Sequence, residues 1–465
     1  MNIRPTIIVF VLAVISVTGA MLFDRQQRTA GAATDLATVQ LLPTDFSVDD
    51  VDVIELQRGD GTPMVFTRDG TGWWQTEPFR FPMDPFSIRQ LAVIARELAV
   101  RDVIEIKNDD ASTSRAALRL EPPAATLTLR AGERAITLNL GRRGVAGRAY
   151  LQRDGESTVC VVDAALHDRA IDMDPREWRN RTIFRDVDVE CESIERTQGD
   201  VRLVLQRQTR RWDMMQPVAT RVDADAIEAF LSDIARAELA NFVIDQPDDL
   251  ADFGLAVPVA RLDVRSTQSR VTDEGTTRVP VTQTLLIGAQ AAAGTNDRFA
   301  MIEGQPVIFR LPATAIVQIF LLPPEYLIDA TGSGVAASDV KSFVVRHPAG
   351  EFRVTRDLED WKTEVDGEIL TLPYAYVEEL LSNLTTLRAP RLEVSPYPRD
   401  LERAMVTLYG FDRRPLDTIR IVHDPTSDEW KLENGDNVLR VIADDVEWRL
   451  TLADYGVGEP LKPTP

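Results

Sequence analysis

Asp249-Leu250-Ala251-Asp252-Phe253-Gly254-Leu255-Ala256-Val257-Pro258-Val259-Ala260-Arg261-Leu262-Asp263-Val264 runs from a polar stretch through a Gly- and Pro-bearing turn into a strand of alternating apolar residues. Glycine and proline punctuate turns, and period-2 alternation marks a strand with one apolar face. Two variants occur elsewhere. Leu118-Arg119-Leu120-Glu121-Pro122-Pro123 leads into Ala124-Ala125-Thr126-Leu127-Thr128-Leu129. Tyr409-Gly410-Phe411-Asp412-Arg413-Arg414-Pro415 leads into Leu416-Asp417-Thr418-Ile419-Arg420-Ile421, with one extra residue before the proline. Three copies predict a unit repeated three times.

The flanking residues repeat in the same order. In the first unit Val53-Ile54-Glu55-Leu56, Met64-Val65-Phe66-Thr67 and Trp73-Trp74-Gln75 read as strands separated by turns at Gly59, Gly61 and Gly70. Asp84 then caps a helix with Pro85 at its first position, and Ile88, Leu91, Ala95 and Leu98 share one face. Beyond the turn come strands at 136–141, 150–151 and 159–162. The second unit has strands at 193–195 and 203–205, then Trp212. Its helix, capped by Asp223, carries Ile227, Phe230, Leu231 and Ile234. Leu285-Leu286-Ile287-Gly288 then matches Leu138-Asn139-Leu140-Gly141, and strands at 299–301 and 307–309 close the unit. The third has strands at 343–345 and 352–354, Trp361, a helix starting near Thr371 with Val377, Leu380, Leu384 and Leu387, and strands at 430–432 and 438–441, without the Ile-Gly step.

Trp74, Trp212 and Trp361 are expected to correspond. A repeat of that length is too long for a solenoid unit of about 20–50 residues and suits domains that each close a core. A helix must cover one face of each mostly antiparallel sheet, which predicts an α+β class and argues against a doubly wound parallel sheet. The expected division is an anchor over 1–28, a linker over 29–48 and repeats over 49–186 and 187–328. A linker over 329–339, a third repeat over 340–455 and a disordered tail over 456–465 complete it.

Residues 6–23 form an uncharged run of 18. As a helix it would span about 27 Å at ~1.5 Å per residue, near the ~30 Å hydrocarbon core. A single-pass anchor in an inner membrane with a periplasmic body is expected. A signal peptide cut near Ala30-Gly31-Ala32 is the competing reading. The 73 acidic against 52 basic side chains give a net charge of -21, which disfavours nucleic acid and bare anionic lipid. Two cysteines, Cys160 and Cys191, exclude a disulfide-dense scaffold and leave one disulfide open.

Little in the chain suggests chemistry. His167, His347 and His423 fall one per unit, without a ligand partner at i+3 or i+4, and read as surface or turn residues. Asp109-Asp110, Asp248-Asp249 and Asp400 lie upstream of the turns and read as turn or cap residues. Gly332-Ser333-Gly334 lacks the Lys-Ser/Thr ending of a phosphate loop and reads as linker. Trp73, Trp74, Trp212 and Trp361 read as core. No catalytic, metal-binding or cofactor-binding residue is assigned.

The ordered set of features, with Trp178-Arg179-Asn180-Arg181-Thr182-Ile183-Phe184 entering the second unit, resembles the domain of unknown function 4340 family over most of residues 50–455. That resemblance implies a membrane-anchored repeat protein without established catalytic residues, similar to auxiliary components of ABC-type transport systems. The expected function is a non-catalytic, membrane-tethered scaffold with protein partners. The alternatives are an exported glycan- or peptide-binding module and an exported carboxylate-dependent hydrolase.

Overall fold

The computed structural model describes residues 40–70, 72–106, 114–185, 191–209, 211–272, 275–443 and 446–457. They form three nine-stranded sheets with the same spatial order, 4-3-2-1-6-7-8-9-5 counted along the chain. The α+β repeat architecture is therefore as expected. In the first sheet the strands are Val53–Arg58, Met64–Asp69, Gly72–Glu77, Phe81–Pro82, Val100–Glu105, Ala125–Ala131, Arg134–Arg143, Arg148–Arg153 and Thr158–Asp163. Two four-stranded meanders thus meet where strand 1 pairs antiparallel with strand 6. Between strands 4 and 5 the long helix carries the chain from one edge to the other. The chain divides into two compact units between Asn180 and Arg181. The first holds one sheet and the second holds two.

Local sequence explains each helix. Asp84 caps Pro85–Glu97 by accepting the Ser87 N–H at 2.8 Å, and Ile88, Leu91, Ala92 and Ala95 are buried against the sheet. Asp223 caps Ala224–Ala235 in the same way through the Ala226 N–H at 2.9 Å, burying Ile227, Phe230 and Ile234. The third helix is Tyr374–Thr385, later than expected, because Glu368–Leu372 is still a strand and Pro373 starts the helix. Each fully buried Leu or Ile contributes about 1.5–3 kcal/mol, so the helix face outweighs its intrinsic propensity.

Three readings need correction. The tryptophan equivalent to Trp212 and Trp361 is Trp73, not Trp74. Trp73 lies opposite Arg68 as Trp212 lies opposite Arg207 and Trp361 opposite Arg356. Trp73 enters the core, whereas Trp74 faces outward with the Arg80 guanidinium 4.0 Å from its ring centroid.

The third turn is also elsewhere. Strands 5 and 6 of the third sheet are Arg391–Val394 and Glu402–Tyr409, so residues 395–401 occupy the turn's place. Gly410 to Arg414 is instead the hairpin between strands 6 and 7. In the first two sheets the turn folds over the sheet face away from the helix. Leu118 and Leu120 meet Val159 there, and Leu255 meets Leu286, Met301 and Ile308. Gly141 and Gly288 are required because a methyl on either would strike the carbonyl oxygen of Leu118 or Phe253. In the third sheet the matching position is Val422, which follows Ile421 as Gly141 follows Leu140 and Gly288 follows Ile287, and it is buried.

Finally, the expected linkers are structured where described. Leu41, Leu42 and Phe46 are buried in the first core, and Arg96 donates to the carbonyls of Pro43, Thr44 and Phe46. Val457, at the start of the expected tail, packs against the third core. The apolar run over 6–23 lies outside the described residues. Among the described residues no helix is long and apolar enough to cross a membrane.

Candidate functional site

The sequence candidates stay apart. His167 is buried rather than superficial; its Nε2 lies 3.0 Å from the Tyr150 carbonyl and its Nδ1 meets no partner. Burial, with Arg143 nearby, holds it below the usual imidazole range despite that carbonyl and the charges of Asp168 and Asp172. His347 accepts the Ala349 N–H through Nδ1 at 3.1 Å, and His423 Nε2 lies 2.9 Å from Asp428. Asp249 closes a local turn by accepting the Ala251 N–H at 2.8 Å, and Asp400 sits in a single 3-10 turn. Asp109-Asp110 lies outside the described residues. No group of three His, Cys, Asp or Glu side chains suited to a metal occurs among the described residues. Cys160 and Cys191 are both buried thiols, not joined in a disulfide, and burial pushes the Cys160 thiol up.

The densest polar cluster lies inside the second unit, where the second and third sheets meet, and the sequence reading missed it. Arg440 comes from strand Val438–Ile442, where the sequence shows only a strand, and it has no solvent exposure. Its Nη2 donates to Asp436 Oδ2 at 2.8 Å and its Nη1 to Oδ1 at 3.2 Å. Nε donates to the Asp329 carbonyl at 3.0 Å and Nη1 to that of Val438 at 3.1 Å. Thr220, in strand 4 of the second sheet, donates to Asp436 at 2.5 Å and accepts from Arg440 Nη2 at 3.4 Å. A buried guanidinium is tolerable only when its donors are met, and here they are met from both sheets.

Arg221 extends the cluster. Its Nε donates to Asp329 at 3.1 Å and its Nη2 to the Thr331 carbonyl at 3.0 Å, while Nη1 lies 3.5 Å from Asp417. Ser333, expected in a flexible linker, is 1% exposed and donates to Asp417 at 2.7 Å. Gly332 and Gly334 are small because Leu384, Leu432 and Arg221 crowd them, not because the chain must flex. Asp223, besides capping its helix, accepts Arg388 Nη1 at 2.6 Å.

Burial works to raise the carboxyls of Asp436 and Asp223. Arg440 and Thr220 in one case, and the Ala226 N–H and Arg388 in the other, outweigh it and hold both below the usual carboxylate range. A cleft of about 480 Å³ opens beside the cluster, lined by Met215 and Leu416 together with Arg221, Asp417 and Asp436. Chemically the arrangement fixes charge: each of these carboxylates is committed to a guanidinium.

The model of the family described as domain of unknown function (DUF4340) matches the chain twice, over residues 73–214 and 212–404. The first match starts at Trp73 and the second at its equivalent, Trp212, so each takes in parts of two successive sheets. No curated protein matches the chain.

Proposed function

The chain belongs to the DUF4340 family, and on that premise we propose that it is a non-catalytic scaffold, an accessory component of an ABC-type transport or envelope assembly. Residues 6–23 tether it as a single pass in the inner membrane, and the repeats lie on the periplasmic side. The observation that carries this reading is the cluster around Arg440, which joins two repeats into one body and leaves its charged groups mutually satisfied. A part built to hold partners at fixed spacing needs such a joint; a catalyst needs a group with chemistry to spare. The carboxyls of Asp163, Asp223, Asp357, Asp424, Glu429 and Asp436 are all displaced downward, opposite to what a general acid requires.

Purification of the full-length chain from native membranes in mild detergent tests the proposal. A stoichiometric membrane partner is expected, and removal of residues 1–28 should release the protein into the soluble fraction. Recovery of the intact chain alone would count against a scaffold. The cleft beside Arg221 favours a second reading, an exported module for a glycan or peptide. Saturable binding there that Arg221→Ala abolishes without unfolding would move the assignment to it.

A further inference from the structure

In two of the three sheets the outer edge beside strand 4 is filled by the chain's own exit from the repeat. In the first, Met83 and Arg179 form an antiparallel bridge and Asn180 N–H donates to the Pro82 carbonyl at 3.1 Å. In the second, Val222 bridges Ile328 and Asp329 N–H donates to the Arg221 carbonyl at 3.1 Å. Pro82, Arg221 and Thr371 are equivalent, because they lie opposite Trp74, Asp213 and Lys362, each one residue past the matched tryptophan. The third sheet departs from the pattern. Its fourth strand is longer, Glu368–Leu372, and among the described residues no backbone bond reaches Ile369 or Thr371 from outside the sheet.

Alternate residues of an antiparallel strand turn their N–H and C=O to opposite sides, so Thr371 and Ile369 both present theirs to the open edge. Soluble proteins normally defend such an edge with charge or proline. Pro373 replaces the capping Asp of the other two repeats and blunts one end only. Beside it two large apolar side chains stand in the open, Ile369 72% and Tyr374 57% exposed. The neighbouring charge is acidic: Glu364 lies opposite Ile369, Glu368 opens the strand and Asp366 sits in the hairpin, while Lys362 is already paired with Asp357. A second copy brought edge to edge would set acid against acid. A basic strand would not.

We propose that this edge docks an extended, basic segment of a partner protein by strand addition, taking the place that the inter-repeat connection takes in the other sheets. The assignment rests on the scaffold reading and says where one partner engages. The chain holds its own analogue of the occupant: residues 177–185, Glu-Trp-Arg-Asn-Arg-Thr-Ile-Phe-Arg, carry three arginines against one acid.

A fluorescein-labelled peptide of that sequence, titrated with the full-length protein in detergent, is the probe. Saturable binding is expected, weakened about tenfold by Thr371→Pro, which removes the outward N–H and leaves the bonds to strand 3 intact. Glu364→Lys should weaken it too, and amide exchange at Ile369 and Thr371 should slow in the complex. Absence of saturable binding, or binding indifferent to Thr371→Pro in a variant with an unchanged unfolding midpoint, overturns the proposal. Self-association in sedimentation that Thr371→Pro abolishes assigns the edge to a second copy and overturns it as well. A membrane partner that co-purifies while the peptide fails removes the docking edge and leaves the scaffold. Peptide binding by a protein that purifies alone does the reverse.

Discussion

Arg440 and Asp436 face each other in a two-point contact, Nη2 to Oδ2 at 2.8 Å and Nη1 to Oδ1 at 3.2 Å, with the arginine wholly withdrawn from water. Four residues separate them in sequence, but the groups that complete the site come from more than a hundred residues away, at Thr220 and Asp329. The contact therefore reports the joining of two repeats rather than the folding of one.

Removing either partner should have unequal effects. Asp436→Ala strands a buried guanidinium and is expected to cost about 3–5 kcal/mol. Arg440→Met replaces charge with apolar volume, and Asp436 keeps its bond from Thr220, so the loss should be smaller. Denaturant unfolding of the two variants checks the order. Asp436 and Asp223 also imply acid sensitivity. Their folded ionisation lies below the unfolded range near pH 4, so the stability they contribute is complete above that value and drains as pH falls through the folded one. Limited proteolysis between pH 6 and about pH 3 should cut near 329–335 before the sheets themselves give way.

Trp73 and Trp74 should differ sharply although they are adjacent. Trp73→Ala empties a core site and is expected to cost about 3–5 kcal/mol. Trp74→Ala removes an outward ring and its contact with Arg80, worth about 1 kcal/mol or less. Equal losses would restore Trp74 as the equivalent of Trp212.

Gly288→Ala should destabilise the second repeat by about 1–3 kcal/mol, since its methyl must displace the turn that bears Phe253. The loss should appear as faster hydrogen exchange around Leu255 and Leu286. The third repeat already carries Val422 at that position, and Val422→Gly should bring no comparable gain.

His167 makes the first repeat sensitive to mild acid. Its folded ionisation lies below the ordinary imidazole value, so its contribution is complete above about pH 6.5 and is lost as pH drops below that value toward the folded one. Unfolding midpoints measured from pH 7.5 to 5 should fall, and His167→Gln should flatten the slope. An unchanged slope in that variant would mean the imidazole is not the titrating group.

Much of the fold was legible because burial is periodic. Asp84 and Asp223 announce their helices, and Ile88, Leu91 and Ala95 give the buried face without reference to anything distant. The errors share a cause. Which of Trp73 and Trp74 points inward depends on a one-residue register, and the third turn was sought at a glycine and proline that serve a hairpin instead. Gly332 and Gly334 look like a flexible spacer, yet glycine is equally the residue of crowded places, and composition does not separate the two. Arg440 sits in a strand of valines and leucines, and nothing local tells a buried arginine from an exposed one when the groups that complete its site, at Asp329 and Thr220, lie more than a hundred residues upstream.

Both family matches begin at a tryptophan in mid-sheet, so the matched spans are out of phase with the folded repeats. Gly72 and Arg211 precede equivalent tryptophans on equivalent strands. Splicing Gly72 directly to Trp212 would therefore splice two half-sheets into a whole one and leave a shorter protein of two complete repeats. Gain or loss of a module therefore requires no breakpoint between domains, only one at the same phase in each.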